Sequence, residues 1–160
     1  MDNQLESFLT ADLKNIFNDG EKLLVSPVSG LADYSYIIFP FAKGFEGFLK
    51  LLFFRAGIIT EFQYKSDRWR VGKALNPNME THLRAEESSY DRLVNYCTNG
   101  KELADKLWAV WRRGRNTVFH YFPGADRKVS LAEAKEIVEE IKSVMNLSLS
   151  NCKLRDQNIN

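Results

Sequence analysis

The segment from Tyr36 to Ile59 constrains the fold more than any other part of this 160-residue chain. It is almost continuously apolar and long enough to span a bilayer. Four charged side chains interrupt it, and each would be costly at membrane depth. The segment therefore predicts a buried helix at the centre of a helical protein, and no membrane is expected among the partners. The four interrupting residues are Lys43, Glu46, Lys50 and Arg55.

The charges in this segment follow a helical pattern. Lys43, Glu46 and Lys50 are three and four residues apart, so a helix places them in one polar stripe. Because the stripe interrupts a helix that is otherwise apolar nearly all round, it indicates a polar cleft or an interface. An ordinary ion pair on the helix surface, worth a few tenths of a kcal/mol, is the alternative explanation.

Apolar residues elsewhere recur mostly at helical spacing, and no alternating strand pattern is clear. The sequence thus predicts an all-α bundle of about five helices, with the second and the fourth at its centre. Segment 60–80 is expected to be a long irregular connection with a short helix near 71–75. The predicted helices cover residues 5–17, ended by Asp19 and Gly20, residues 35–56, residues 86–96, a fourth from Lys101, and a last one after a capping box at 130–133.

Composition favours a single domain. The hydrophobic fraction of 44% fills one core without help from disulfides or metals. We expect one helical domain over 1–147 and a polar tail over 148–160. The formal net charge is +1, so a nucleic-acid role has to rest on local clusters of charge.

The cysteines and histidines argue against stapled or metal-bound folds. Cys97 and Cys152 are far apart and form no CxxC pair, which predicts reduced thiols in a cytoplasmic protein and no zinc site. His82 and His120 are the only histidines, so neither a metal centre nor a cofactor is expected. The first residues lack the basic and apolar regions of a signal peptide, which also favours the cytoplasm.

Arg115, Asn116 and His120 are the candidate catalytic residues. They are predicted to lie at the end of the fourth helix, where Asn116 and His120, four residues apart, share a face. Histidine can take a proton from a ribose 2′-hydroxyl or give one to a departing 5′-oxygen, and arginine matches the oxygens of a phosphorane. The set suits RNA cleavage without a metal. A helix-terminal histidine that only caps its helix is the alternative.

The segment from Arg115 to His120 is similar to the Arg-x4-6-His motif of the HEPN superfamily, whose nuclease members often have Asn, Asp or His directly after the Arg. The second helix strengthens this resemblance. Its run from Pro40 to Leu49 resembles the Pro-x-x-Lys-x-x-Glu-Gly-aromatic-Leu segment of the RNase LS-type toxin branch, with Lys43 and Glu46 at the matching positions.

This resemblance implies a HEPN-like helical domain that dimerises, so that two copies of the Arg and the His meet in one basic cleft. It also implies a metal-independent endoribonuclease with RNA as substrate, as the toxin of a toxin–antitoxin or antiviral system. An antitoxin or another regulatory protein is then a further partner. Residues expected to support the site or bind RNA are Lys43, Glu46, Lys50, Arg112, Arg113 and Tyr121.

Two further alternatives follow from the same residues. HEPN toxins paired with nucleotidyltransferase antitoxins have a Tyr two positions after the His, where AMP is attached; here Tyr121 follows directly and position 122 is Phe, which disfavours control by that modification. The chain is otherwise a catalytically inactive HEPN module that binds a nucleotide, RNA or protein partner, or a helical scaffold with a chance motif.

Overall fold

The computed structural model describes residues 3–121, 123 and 127–155. The described residues form nine α-helices and one π-helix, and none of them lies in a β-strand. The predicted all-α class is confirmed, whereas the predicted count of about five helices is wrong. The helices are α1 (Asn3–Phe8), α2 (Ala11–Val25), α3 (Ser35–Arg55), α4 (Glu61–Lys65), α5 (Val71–Ala74), α6 (Thr81–Glu87), α7 (Ser89–Tyr96), α8 (Gly100–Trp111), the π-helix (Arg112–Thr117) and α9 (Leu131–Asn151).

The first predicted helix is two helices in the structure. Thr10 separates α1 from α2, and its side-chain oxygen accepts a hydrogen bond from the Leu13 amide at 3.4 Å, which caps α2. Gly20 does not end the helix as predicted. It lies buried within α2, where a Cβ atom would come within 2.7 Å of Cε2 of Phe41 on α3. This glycine therefore allows α2 and α3 to approach each other closely.

The segments around α4 to α7 also contain more helix than expected. The connection over 60–80 holds both α4 and α5. The helix predicted over 86–96 begins earlier, at Thr81, and is interrupted at Ser88. The Ser88 side chain accepts a hydrogen bond from the Asp91 amide at 3.1 Å and so caps α7. These caps add short helices that apolar spacing alone does not separate.

Helix α3 lies at the centre of the fold, as predicted, and its apolar side chains are almost all fully buried. Its glycine at position 44 faces α2, where a Cβ atom would come within 2.6 Å of the Phe17 ring. Gly57 follows α3 with a φ of 71°, the left-handed conformation that favours glycine. None of the helices in the described ranges is long and apolar enough to cross a membrane.

Helix α9 packs against both α3 and α8. The Ser130 side chain caps it by accepting a hydrogen bond from the Glu133 amide at 3.1 Å, as the capping box predicts. The helix continues to Asn151, with Ser148 and Leu149 buried, so the expected domain boundary at 147/148 falls inside α9.

A disulfide joins Cys97, at the end of α7, to Cys152, at the end of α9. Their Cα atoms are 4.5 Å apart, and next to them the Thr98 amide donates to the Asn151 carbonyl at 2.9 Å. The prediction of two separate reduced thiols is therefore wrong. The two cysteines are 55 residues apart in sequence, and only the packing of α7 beside the end of α9 makes them neighbours.

Candidate active site

A π-helix carries the predicted catalytic arginine. It continues directly from α8, and the Thr117 hydroxyl donates to the Arg112 carbonyl, five residues back, at 2.7 Å. Gly114 faces α9, where a Cβ atom would lie 3.3 Å from Cδ1 of Ile141. The lack of a side chain at this position lets the wider π turn lie against α9. Such turns occur frequently at functional sites.

The π-helix points two of its arginines in opposite directions. Arg113 forms ion pairs with Glu136, at 2.5 Å, and with Glu140, both on α9. The hydrogen bond to Glu136 raises the pKa of Arg113 above its usual range. Arg115 instead turns towards α3, where its Nη2 lies 3.0 Å from Oε2 of Glu46. The ion pairs of Arg113 thus fix the π-helix on α9, while Arg115 connects it to α3.

An open cavity of about 400 Å³ lies between α3 and the end of the π-helix. Its volume is within the usual range of small-molecule sites. Four of the residues singled out in the sequence line it together: Lys43, Glu46, Arg115 and His120. Phe39, Ala42 and Phe119 complete the described lining. The cavity therefore brings the two motifs together, although they lie about 65 residues apart in the chain.

Two contacts close the two ends of this cavity. At one end Glu46 pairs with Arg115, whose guanidinium carbon lies 5.1 Å from the centre of the Trp111 ring beneath it. At the other end the rings of Phe39 and Phe119 meet edge to face, with their centres 5.7 Å apart. The cavity thus has a charged end and an aromatic end.

His120 differs from its predicted setting. The π-helix ends at Thr117, so His120 lies beyond the last helical turn, and it reaches the cavity from irregular backbone. Asn116 and His120 therefore do not share a helix face as expected, because that prediction assumed a continuous α-helix. Asn116 is half-buried and is not among the described residues that line the cavity.

The other predicted residues lie outside the lining of the cavity. Lys50 donates to the Ser66 carbonyl at 3.2 Å, which connects α3 to the segment after α4. Arg112 is exposed on the π-helix, and Tyr121 is 87% exposed just after His120. Phe122, which bears on the AMP-acceptor pattern, lies outside the described residues.

Sequence reasoning missed the two phenylalanines of the cavity. Phe39 is one turn before Lys43, and Phe119 is one turn after Arg115. The available signal was therefore the i, i+4 spacing of an aromatic residue from each candidate cation. In an apolar helix that signal is weak, because buried phenylalanines are common there.

Within the described ranges, no three His, Cys, Asp or Glu side chains are grouped so that they could hold a metal ion. In comparisons with known proteins, no family model, curated protein or solved structure matches the chain.

Proposed function

We propose that the protein is a metal-independent endoribonuclease of the HEPN type, with the cavity between α3 and the π-helix as its active site. One observation carries this proposal. Arg115, Lys43 and His120 line the same open cavity, which combines two cations with an imidazole. Cations bind the phosphate, and an imidazole can move protons on the ribose.

The charges of the cavity suit a phosphodiester. Lys43 is exposed, and the Arg115 side chain is 44% exposed, so both are accessible to a ligand. Glu46 compensates one positive charge of the pair. A guanidinium has five N–H donors, so its contact with Glu46 leaves donors for phosphate oxygens. RNA is therefore expected to bind with its scissile phosphate beside Arg115.

In the proposed reaction the ribose supplies its own nucleophile. His120 takes the proton from the 2′-hydroxyl, and the 2′-oxygen attacks the neighbouring phosphorus. Arg115 stabilises the pentavalent phosphorane, and Asn116 orients His120 or the scissile phosphate. The bond to the 5′-oxygen then breaks, and this oxygen receives a proton. The products are a 2′,3′-cyclic phosphate and a free 5′-hydroxyl.

A symmetric homodimer completes this proposal. One His120 cannot easily serve as base and acid at the same moment, whereas a two-fold axis near Asn116 supplies a second imidazole. By the HEPN resemblance, the enzyme acts in the cytoplasm as the toxin of a toxin–antitoxin or antiviral system. An antitoxin or another regulatory protein restrains it.

The decisive experiment incubates the purified protein with RNA in EDTA and compares His120→Ala with His82→Ala. His82 is an exposed histidine on α6, outside the cavity, and serves as the matched control. Loss of an acid–base group costs about 10²- to 10⁴-fold in rate, so His120→Ala is expected to be nearly inactive and His82→Ala unaffected. The products should end in 2′,3′-cyclic phosphate. Loss of activity in EDTA, 3′-hydroxyl products, or equal cleavage of DNA would contradict the mechanism.

A catalytically inactive binding module is the second candidate function. The ion pair between Arg115 and Glu46 favours it, because this contact partly satisfies the cation that catalysis requires. Such a module would bind a nucleotide, RNA or protein without changing it. Tight RNA binding with no cleavage, in the same EDTA assay, would identify this function.

A further inference from the structure

Phe39 and Phe119 are unusual surface residues. Phe39 on α3 is 57% exposed, and Phe119 after the π-helix is 39% exposed. The phenylalanines of the core are almost fully buried, and several of them have no exposed surface at all. Two large apolar rings held together at the rim of a polar cavity form a patch of the kind that often marks a binding site.

The two rings form a corner. Their planes are 85° apart, so the edge of one ring points at the face of the other. A flat aromatic ligand can lie on the open face of one ring and meet the other ring along its edge. Both arrangements are favoured for aromatic groups. The corner therefore suits one planar heterocycle rather than an aliphatic side chain.

Cations lie next to this corner on both elements. Lys43 follows Phe39 by one turn of α3, and Arg115 precedes Phe119 by one turn, with the Phe119 amide donating to the Arg115 carbonyl at 3.2 Å. Phe39 and Glu46 are seven residues apart, which is about 10 Å along a helix. The aromatic corner and the Arg115 end are thus separated by a distance that a dinucleotide can bridge.

We propose that Phe39 and Phe119 bind one unpaired nucleobase of a single-stranded RNA, next to the phosphate held by Arg115. This inference rests on the proposed function, because it takes RNA as the ligand. Stacking on an aromatic ring tolerates every base but requires a base that is not paired in a duplex. The corner therefore selects single-stranded over double-stranded RNA, and it positions the ribose between the base and the cations.

The test measures binding separately from cleavage. The probe is a short, fluorescently labelled single-stranded RNA, bound to variants that all carry His120→Ala so that no RNA is cut. Phe39→Leu and Phe119→Leu keep the apolar bulk but remove the aromatic face, while Phe39→Trp keeps it. Phe62→Leu is the matched control, since Phe62 on α4 is 84% exposed and lies outside the cavity.

Each Leu variant of the corner is expected to weaken binding by roughly 5- to 150-fold, whereas Phe39→Trp and Phe62→Leu bind like the parent. A probe in which a duplex pairs every base should bind weakly to the parent and equally to all variants. Melting temperatures that match the parent show that the Leu variants are folded.

Two results would overturn the inference, and they differ in what they say of the nuclease. If the Leu variants bind single-stranded RNA as tightly as the parent, while the protein with its native His120 cleaves RNA in EDTA, the stacking corner is wrong and the nuclease stands. If the parent binds no RNA and the native protein cleaves none, both proposals fall. A preference of the parent for the duplex probe would also contradict the corner.

Discussion

Arg115 on the π-helix and Glu46 on α3 form an ion pair across the candidate cavity, with Nη2 and Oε2 3.0 Å apart. Trp111 supports the guanidinium from below, at 5.1 Å from the ring centre. Glu46 thus determines where Arg115 points and also how much positive charge the cavity presents to a phosphate.

Replacing Glu46 with Gln separates these two effects. Glutamine keeps an oxygen that accepts a hydrogen bond from Arg115, but it removes the negative charge that repels phosphate. RNA affinity is therefore expected to rise by about threefold to tenfold, as one charge at close range near a protein surface allows. Fluorescence anisotropy at several salt concentrations measures this change. Weaker binding by Glu46→Gln would contradict the assignment of this cavity to a polyanion.

The stability of Glu46→Gln should differ little from that of the parent. The Arg115 side chain is nearly half exposed, and exposed pairs contribute at most about 1 kcal/mol. Urea unfolding followed by circular dichroism gives the free energy of unfolding. A loss of several kcal/mol would show that the pair holds α3 and the π-helix together, rather than adjusting the charge of the cavity.

Replacing Arg115 with Lys tests the role of its shape. Lysine keeps the charge, but it cannot place two parallel N–H groups on a phosphorane. Cleavage is expected to fall by about 10²- to 10³-fold, with a smaller loss of RNA affinity and an unchanged salt dependence. Single-turnover kinetics and binding assays separate the two. Arg68→Lys, at an exposed arginine between α4 and α5, is the matched control and should behave like the parent.

Local signals in the sequence predicted the long elements of the fold. The start of α9 follows from its capping box at Ser130, and the end of α3 follows from Gly57. Both signals act through backbone atoms within a few residues of each other, so sequence alone is sufficient to read them. The all-α class follows in the same way from apolar spacing.

Signals that depend on tertiary packing were misread. Gly20 looked like the end of a helix, but it continues α2 because the Phe41 ring from α3 occupies the space of its missing side chain. The π-helix, with Gly114 against α9, moved His120 out of the helix in which it was predicted. In both places a glycine serves a neighbouring element, which the chain alone does not reveal.

The candidate site was predicted in part. The motifs identified Lys43, Glu46, Arg115 and His120, and these residues do meet in one cavity. The pairing of Glu46 with Arg115 and the corner of Phe39 and Phe119 depend on how α3 lies against the π-helix. That arrangement is fixed by packing between elements far apart in sequence, so no local pattern predicts it.

The ion pair between Arg84 on α6 and Asp91 on α7 predicts a pH dependence of stability. Arg84 donates two hydrogen bonds to the carboxylate, at 2.9 and 2.6 Å, and they lower the pKa of Asp91. A carboxyl group whose pKa is lower in the folded state stabilises the protein above its unfolded pKa of about 3.9. That contribution is lost as the pH falls through the folded pKa.

Asp91→Asn should therefore unfold at a lower urea concentration than the parent at pH 7, and the difference should shrink below about pH 4. Urea midpoints across this pH range measure the effect. Asp67→Asn, at an exposed aspartate outside this ion pair, serves as the control and should show no such trend. A difference that persists unchanged at low pH would assign the loss to packing instead of charge.

The disulfide between Cys97 and Cys152 should contribute much of the stability of the fold. It closes a loop of 55 residues, and restricting the unfolded chain in this way stabilises a protein by about 2–4 kcal/mol. Reduction with dithiothreitol, or Cys152→Ser, is expected to lower the free energy of unfolding by that amount. Cys97→Ser combined with Cys152→Ser should cost no more than either change alone, because all three remove the same bond. Dithiothreitol should then leave the Ser variants unaffected, and two free thiols in the unreduced parent would contradict the pairing.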